Sequence, residues 1–211
     1  MAFNSSIRVL VAAGLVLFAG IASALAEPVR IVAFGDSLMA GYQLNPGESF
    51  PERLEEALKA RGHDVVIANA GVSGDTTSAG LARLDWSVPD DTDLVLLGLG
   101  ANDMLRGVDP GVTEKNLTAI LEGLDARDID VMLMGMLAAP NLGASFGDRF
   151  NGIYPQLASR FAVELYPFFL DGVTTVPGMT LEDRMHPSAA GVDRMVEGVL
   201  PMVEAYIEAQ G

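Results

Sequence analysis

The sequence predicts an α/β fold in which a parallel sheet is covered by helices on both faces. Apolar runs of strand length alternate along the chain with amphipathic stretches of helical spacing. Most of these runs are rich in Val, Ile and Leu without alternation, which is typical of strands buried on both sides. The chain has 211 residues, which suffices for one domain with a sizeable core and is short for two.

Five strands are predicted from the apolar runs. They span residues 29–34, 64–68, 93–99, 130–137 and 168–170. Ligands of open α/β sheets bind beyond the carboxyl ends of the strands. We therefore expect the catalytic residues to follow strands directly.

Three helices can be predicted with defined starts or stops. Apolar residues recur at helical spacing over residues 50–58, and Gly62 follows as a stop signal. Asp109 and Pro110 have the composition of an N-cap and a first helical position. The last helix is predicted to begin near Ser188. These helices would cover the sheet between and after its strands.

Residues 1–26 are predicted to form a cleaved signal peptide. Arg8 is their only charge, and the nearly apolar run over residues 9–21 is shorter than the roughly 20 residues that a membrane span needs. The triplet at residues 24–26, Ala-Leu-Ala, offers a small-x-small cleavage site. We therefore expect an exported protein, periplasmic or secreted, with a single domain over residues 27–211 and no stable membrane anchor.

The composition excludes several classes of function. Asp and Glu number 28 against 13 Lys and Arg, and the formal net charge is −15. No basic face is expected that could neutralise phosphates, so a nucleic-acid partner is excluded. Cysteine is absent, which removes disulfides, thiolate metal sites and a cysteine nucleophile.

Two histidines, His63 and His186, are the candidates for a base that works near neutral pH. His63 lies in a helix-to-strand turn away from the expected site and is interpreted as a surface residue. His186 follows the last predicted strand. Asp183, three residues upstream, can hold the proton on one imidazole nitrogen and leave the other free as base. The alternative is an incidental acid near a helix start.

Two serines compete for the role of nucleophile. Ser145, at the centre of residues 143–147, matches the G-x-S-x-G elbow by letter, but a long predicted loop separates it from the preceding strand. Ser37 lies in Gly-Asp-Ser-Leu at residues 35–38, directly after the first strand. We therefore predict Ser37 as the nucleophile, with a plain helix N-cap as its alternative role.

Two further loops offer donors for an oxyanion. Gly74 follows the second strand, and no side chain blocks its backbone N–H. Asn102 follows the third strand and can supply a side-chain amide. Each alone could simply shape its own loop. Together with a serine and an Asp-His pair, they are the parts of acyl transfer through a tetrahedral intermediate.

These four loops resemble the sequence blocks of the GDSL or SGNH hydrolases, which are named for serine, glycine, asparagine and histidine. The four residues correspond to Ser37, Gly74, Asn102 and His186. The chain is also similar, in order, to the exported bacterial thioesterases, lysophospholipases and arylesterases of that family at residues 69–70, 73–76, 80–84, 105–107 and 153–157. The likeness covers nearly the whole chain after the predicted signal peptide.

The resemblance implies a three-layer α/β/α, flavodoxin-like fold with a five-stranded parallel sheet of order 2-1-3-4-5. It implies a triad of Ser37, His186 and Asp183. It also implies an oxyanion hole made by the N–H groups of Ser37 and Gly74 and the side chain of Asn102. No cofactor and no metal are implied.

The resemblance further implies a small-molecule acyl ester or thioester as substrate. Residues 140–150 correspond to a family loop that shapes the acyl pocket, so Leu142 and Phe146 are expected to contact substrate. Ala101 stands where the family often has glycine. Because of such departures, the substrate preference of the family is not carried over.

Three alternatives stay open. A carbohydrate O-acetyl esterase would use the same four blocks on short acyl groups. A metal-dependent hydrolase has few familiar ligands, since the two histidines are separated and cysteine is absent. A non-catalytic domain would require the loss of a site position, and all are present.

Because an acidic protein does not attract polyanionic acyl-CoA, carboxylic esters are predicted as the everyday substrates, with thioesters as an in vitro capability.

Overall fold

A computed structural model describes residues 27–210 and contains a five-stranded sheet. Its strands are β1 (Val29–Gly35), β2 (Val65–Gly71), β3 (Leu94–Gly98), β4 (Asp130–Met134) and β5 (Glu164–Tyr166). All neighbouring strands run parallel, in the order β2-β1-β3-β4-β5, which confirms the predicted fold. The predicted signal peptide, residues 1–26, lies outside the described residues.

Helices cover both faces of the sheet. They are α1 (Ser37–Ala40), α2 (Phe50–Ala60), α3 (Thr77–Ser87), α4 (Ala101–Leu105), α5 (Pro110–Asp125), α6 (Ala144–Asn151), α7 (Ile153–Phe161) and α8 (Ala189–Gln210). Helix α2 packs against α8, whereas α3 packs against α5 and α5 against α7. The crossover from β1 to β2 runs in one direction across the sheet, and those from β2 to β3 and onward run in the other. Because such crossovers are right-handed, they place these two groups of helices on opposite faces. Within residues 27–210, no helix combines the length and apolarity needed to cross a bilayer.

Capping residues set the helix starts that the sequence predicts. Glu52 accepts a hydrogen bond at 3.1 Å from the backbone N–H of Ser49, which precedes α2. Asp109 precedes α5 and accepts from the N–H of Gly111 at 2.9 Å. Helix α8 begins one residue after Ser188. The predicted starts of α5 and α8 are thereby confirmed.

Burial along the strands follows their position in the sheet. Strand β3 is central and buried along its whole length. Strand β2 is an edge strand whose first four residues alternate between buried and exposed, and Val66 is 49% exposed. The prediction of strands buried on both sides therefore holds for the centre of the sheet and is wrong for its β2 edge, where one face is left uncovered.

The fifth strand differs from its predicted place at residues 168–170. It lies at Glu164–Tyr166, because Ala162 ends α7 with a φ of 54° and turns the chain directly into the strand. Phe169 is buried since its ring packs edge-on against Phe50, with centroids 4.8 Å apart. The apolar run at residues 168–170 is therefore explained by core packing and not by strand pairing.

The chain after β4 also differs from the prediction. The strand ends at Met134, three residues early, and the backbone N–H of Gly135 donates to the carbonyl of Tyr166 at 2.8 Å. The predicted long loop before Ser145 holds a 3₁₀ turn at Pro140–Leu142 and the start of α6. Pro140 supplies the preset backbone angle that starts such a turn.

Three glycines lie side by side at the carboxyl ends of β1, β2 and β3. Gly35 on β1 pairs with Gly71 on β2 and with Gly98 on β3. A β-carbon on Gly35 would lie 2.5 Å from the carbonyl oxygen of Gly98, and one on Gly71 would collide with the backbone of Ala40. This glycine row lets α1 lie directly against the edge of the sheet.

Candidate active site

Ser37 is the first residue of α1, the single helical turn that follows β1. The carboxylate of Asp36 caps this turn by accepting a hydrogen bond from the backbone N–H of Leu38 at 3.0 Å. Ser37 is therefore not the N-cap. Its residue is only 9% exposed, and its hydroxyl is free to bond elsewhere.

The structure brings Ser37, His186 and Asp183 into one hydrogen-bonded line. Ser37 Oγ lies 2.9 Å from His186 Nε2, and His186 Nδ1 lies 2.6 Å from Asp183 Oδ2. Because an ionised carboxylate can only accept, Nδ1 donates to Asp183, and Nε2 accepts from the Ser37 hydroxyl. This tautomer leaves the imidazole ready to take the proton of Ser37.

The Asp183 carboxylate is kept ionised by its own turn. Its Oδ1 accepts hydrogen bonds from the backbone N–H groups of Met185 at 2.9 Å and His186 at 3.0 Å. Burial favours the neutral acid, but these bonds and the His186 ring outweigh it and lower the pKa of Asp183 to about 2. Asp183 is therefore a permanent anion beside the imidazole near neutral pH.

The loop that carries His186 is closed on itself. The backbone N–H of Leu181 donates to the carbonyl of His186 at 2.8 Å, and Thr180 and Pro187 form an antiparallel bridge. Arg184 adopts the left-handed backbone conformation, with a φ of 60°. The position of His186 is thereby set by local contacts, although β5 ends far upstream.

Asn102 lies on α4, directly beyond β3. Its Nδ2 donates to Asp36 Oδ2 at 3.3 Å. Asp36 is 1% exposed, and burial raises its pKa to about 6, against the opposing hydrogen bonds from Leu38 and Asn102. The residue before Ser37 therefore also orients the amide of Asn102.

Gly74 lies in the turn between β2 and α3 with a φ of 87°. Arg106 Nη2 donates to its carbonyl oxygen at 2.7 Å. The next residue, Asp75, accepts from Nε of the largely buried Arg83 at 2.6 Å, and Arg83 Nη2 donates to the carbonyl of Gly35 at 2.9 Å. Arg83 thus ties the Gly74 turn to the end of β1.

Asp103 connects the turn of Gly74 to the helix of Asn102. Its buried carboxylate accepts from the backbone N–H of Thr77 at 2.8 Å and from the Thr77 hydroxyl at 2.6 Å. Thr113 adds a longer bond of 3.4 Å. Because Thr77 starts α3, the two loops have a fixed relative position.

Two other residues that the sequence raised as candidates lie away from this cluster. Ser145 is exposed on α6. His63 lies at the amino end of β2, and its Nε2 is 3.0 Å from Glu204 Oε1. Its side chain is 17% exposed, so His63 is a partly covered surface residue away from the expected site, as the sequence predicts.

A second group of side chains has the spacing of a metal site. Among the described residues, His63, Glu204 and Glu208 bring three ligand atoms within 4.8 Å of one another. Glu204 already accepts hydrogen bonds from Arg61 and His63. These bonds explain the cluster, and it lies at the edge of the sheet opposite Ser37.

A cavity of about 830 Å³ also opens at the amino edge of the sheet. Acidic side chains dominate its charged lining, which includes Asp64, Asp90, Asp91, Asp93, Asp128 and Asp130. None of the predicted site residues lines it. Its position and charge separate it from the Ser37 cluster.

Leu142 and Phe146, the expected substrate contacts, lie in the 3₁₀ turn and on α6. Both are half-buried and pack against the hydrophobic core. The Phe146 ring stacks on Phe150, with centroids 5.8 Å apart. Helical turns, and not the predicted long loop, therefore place both side chains.

Sequence reasoning missed Asp36, Asp103 and Arg83 as supports of the site. Each bonds residues far away along the chain, so periodicity gives no sign of them. Asp36 and Asp103 do share one signal, since each is an acid that follows a buried strand within five residues. A carboxylate there must have hydrogen-bond partners once it is buried.

Comparisons with known proteins agree with this geometry. The model of the GDSL-like Lipase/Acylhydrolase family matches residues 33–194, a range that contains all four block residues. An arylesterase from Vibrio mimicus is 42% identical over 174 residues, which are 82% of this chain and 87% of the relative. Thioesterase 1/protease 1/lysophospholipase L1 of Escherichia coli is 34% identical over 178 residues, covering 82% of this chain and 84% of the relative.

A solved structure extends the likeness to the whole domain. The crystal structure of AlinE4, an SGNH-hydrolase family esterase, has a TM-score of 0.73 and 47% sequence identity. The alignment covers 86% of this chain and 98% of that chain. On sequence, sheet order and site geometry alike, the chain belongs to the GDSL-like lipase/acylhydrolase family and has the SGNH-hydrolase fold.

Proposed function

We propose that this protein hydrolyses carboxylic esters, and acyl thioesters in vitro, through an acyl-enzyme formed on Ser37. The observation that carries the proposal is the hydrogen-bonded line from Ser37 through His186 to Asp183. The names of the relatives, arylesterase and thioesterase/lysophospholipase, support the same reaction class. The family relationship thus agrees with the chemistry that the geometry allows.

In the first half-reaction, Ser37 Oγ attacks the acyl carbonyl while His186 Nε2 takes the hydroxyl proton. The tetrahedral intermediate collapses, the bond to the leaving alcohol or thiol breaks, and His186 returns the proton to it. Water then attacks the acyl-enzyme with His186 again as base, which releases the carboxylic acid and restores Ser37. Asp183 stays ionised and stabilises each imidazolium.

The oxyanion of both intermediates would be bound by the N–H groups of Ser37 and Gly74 and by the side chain of Asn102. The hydrogen bond from Asn102 to Asp36 supports this role, because it fixes the amide before substrate binds. The bond from Arg106 to the Gly74 carbonyl restrains the Gly74 peptide in the same way. Donors that are already oriented need no rearrangement during the reaction.

The acyl chain would lie against Leu142 and Phe146. Support comes from several large apolar side chains that are exposed on loops and at a helix end beyond the carboxyl ends of the strands: Val72, Leu105, Leu137 and Met185. An apolar surface of this kind favours an acyl chain over a sugar. The net charge of −15 also disfavours polyanionic acyl-CoA.

The nucleophile is tested by comparing Ser37→Ala with Ser145→Ala on a p-nitrophenyl ester. We expect the first variant to lose nearly all activity and the second to keep it. Activity lost only in the Ser145 variant would overturn the assignment. Full activity of the parent enzyme in EDTA would exclude the metal-dependent alternative.

The substrate class is tested with p-nitrophenyl esters from acetyl to palmitoyl. We expect the preferred chain to be longer than acetyl in the parent enzyme. Phe146→Ala should raise KM for the longer esters and leave the acetyl ester unaffected. A preference for acetyl, together with activity on acetylated sugars, would instead identify a carbohydrate O-acetyl esterase.

We also propose that the protein is exported and that residues 1–26 are removed. The single charge at Arg8, the apolar run and the small-x-small triplet support this interpretation. Intact mass of the exported product is expected to correspond to a chain that starts at Glu27. A product that retains Met1 would contradict cleavage.

A further inference from the structure

The ring of Tyr42 lies against the ring of His186. Their centroids are 4.3 Å apart, and the two planes are inclined at 36°. This separation is well within the roughly 6 Å at which a cation is attracted to the face of an aromatic ring. His186 becomes such a cation each time it takes the proton of Ser37 or of water.

Helix α1 places Tyr42 as directly as it places Ser37. Gly41 ends the helix in the left-handed conformation, with a φ of 76°, and its N–H donates to the carbonyl of Ser37. The N–H of Tyr42 donates to the same carbonyl at 3.3 Å. A β-carbon on Gly41 would lie 2.7 Å from Cβ of Ser49, so this reversal requires glycine. Ser37 and Tyr42 are therefore the two ends of one fixed turn.

The hydroxyl of Tyr42 has a partner of its own. Gln43 Nε2 donates to Tyr42 Oη at 3.1 Å. The contact with His186 is consequently made by the ring. Tyr42 is 38% exposed, so its ring is in contact with His186 without being part of the core.

We propose that Tyr42 is a positioning residue for the base: its ring holds the His186 imidazole in line with Ser37 and stabilises the imidazolium formed in each half-reaction. This inference rests on the proposed roles of Ser37 and His186. Two carboxylates also act on the imidazole, Asp183 through its bond to Nδ1 and the buried Asp36 through its charge. Tyr42 contributes a π face, which neither carboxylate can supply.

The matched variants are Tyr42→Phe and Tyr42→Leu. Phenylalanine keeps the ring and loses the hydroxyl, whereas leucine keeps apolar bulk and loses the π system. We expect kcat of the Phe variant to stay within about twofold of the parent and kcat of the Leu variant to fall about three- to tenfold. The acid limb of kcat/KM against pH should move to lower pH by roughly half a unit in the Leu variant, because its imidazolium is less stabilised.

NMR titration of the His186 ring tests the same effect independently of the kinetics. The sequence contains two histidines, so NMR titration in a His63→Gln background follows the His186 ring alone. Its titration midpoint should move to lower pH in the Leu variant and stay in place in the Phe variant. Because Tyr42 is half-exposed, both variants are expected to fold, which thermal unfolding checks.

Three results would overturn the proposal. A higher KM in the Leu variant, with kcat and the acid limb unchanged, would make Tyr42 a substrate contact. Equal losses in both variants would assign the effect to the hydroxyl. Parental behaviour of both would show that the contact is without effect. A His186→Ala variant separates these results from failure of the proposed function, since only an active His186→Ala enzyme would refute the base itself.

Discussion

Asn102 Nδ2 donates a hydrogen bond across 3.3 Å to Oδ2 of Asp36, the residue directly before Ser37. The same carboxylate caps the helical turn on which Ser37 lies, through the N–H of Leu38. One buried acid thus connects groups from the ends of two neighbouring strands. The contact has consequences both for catalysis and for stability.

Replacing Asp36 with asparagine is expected to stabilise the protein at alkaline pH. The folded-state pKa of about 6 lies above the ordinary 3.8, so the stabilising contribution of Asp36 is complete below pH 3.8 and is lost as pH rises through 6. Keeping the buried carboxylate ionised costs roughly 3 kcal/mol above that range. The free energy of unfolding of the variant relative to the parent should therefore rise between pH 4 and pH 8, as measured with urea. Parallel pH curves for the two proteins would contradict this.

Removing the side chain of Asn102 is expected to slow the chemistry without weakening substrate binding. Asn102→Ala should lower kcat about a hundredfold or more and change KM little, because an oxyanion donor acts in the transition state. Steady-state kinetics on a p-nitrophenyl ester measure both constants. Asn45→Ala, at an exposed asparagine, is the control and should resemble the parent. A rise in KM with normal kcat would place Asn102 in ground-state binding.

Replacing Asp183 with asparagine is expected to affect both catalysis and acid stability. The variant cannot stabilise the imidazolium, so kcat should fall by up to about ten-thousandfold. The parental pKa of about 2 lies below the ordinary 3.8, so the stability that Asp183 provides is present above pH 3.8 and is lost as pH falls through 2. The difference in unfolding free energy between parent and variant, roughly 1 to 2 kcal/mol after allowance for partial exposure, should vanish towards pH 2. A difference that persists there would point to another cause.

Replacing Arg83 is expected to destabilise the fold strongly. Arg83→Met leaves the carboxylate of Asp75 largely buried without its partner, and the free energy of unfolding should fall by about 3 kcal/mol or more. Arg160→Met, which breaks an exposed pair with Glu122, is the control and should cost less than about 1 kcal/mol. Chemical denaturation compares the two. Adding Asp75→Asn to Arg83→Met should recover part of the loss, and its failure to do so would assign the cost to lost packing.

Strands β1 to β4 and the loops that carry Ser37, Gly74 and Asn102 could be predicted because both leave local patterns, whereas the sheet order 2-1-3-4-5 is implied by the resemblance to the SGNH hydrolases. A buried parallel strand is a continuous apolar run, and the residue that follows it lies at the edge where ligands bind. Strand β5 left no such pattern. It has three residues, too few for a periodicity, and the nearby Phe169 is apolar for a different reason.

The supports of the site could not be predicted in the same way. Asp36 bonds Asn102, Arg83 bonds the carbonyl of Gly35, and Tyr42 meets His186. Each pair joins residues that are distant along the chain and come together only when the loops converge. Local sequence patterns indicate the groups that could react. The orientation of those groups depends on long-range contacts that form only in the complete fold.

The row formed by Gly35, Gly71 and Gly98 makes the nucleophile turn an extension of the sheet. The side chain of Met39, which is inaccessible to solvent, fills the space that β-carbons on Gly35 and Gly98 would otherwise occupy, and the backbone of α1 fills the space beside Gly71. Because α1 packs against the ends of three strands, the position of Ser37 depends on all of them. A side chain at almost any position of the glycine row would displace α1 and Ser37 with it. Residues 140–150 are less constrained, because Phe150 alone among them is buried. If Leu142 and Phe146 contact the acyl chain as proposed, exchange of the exposed positions in that segment would change the acyl specificity while the reaction stays the same.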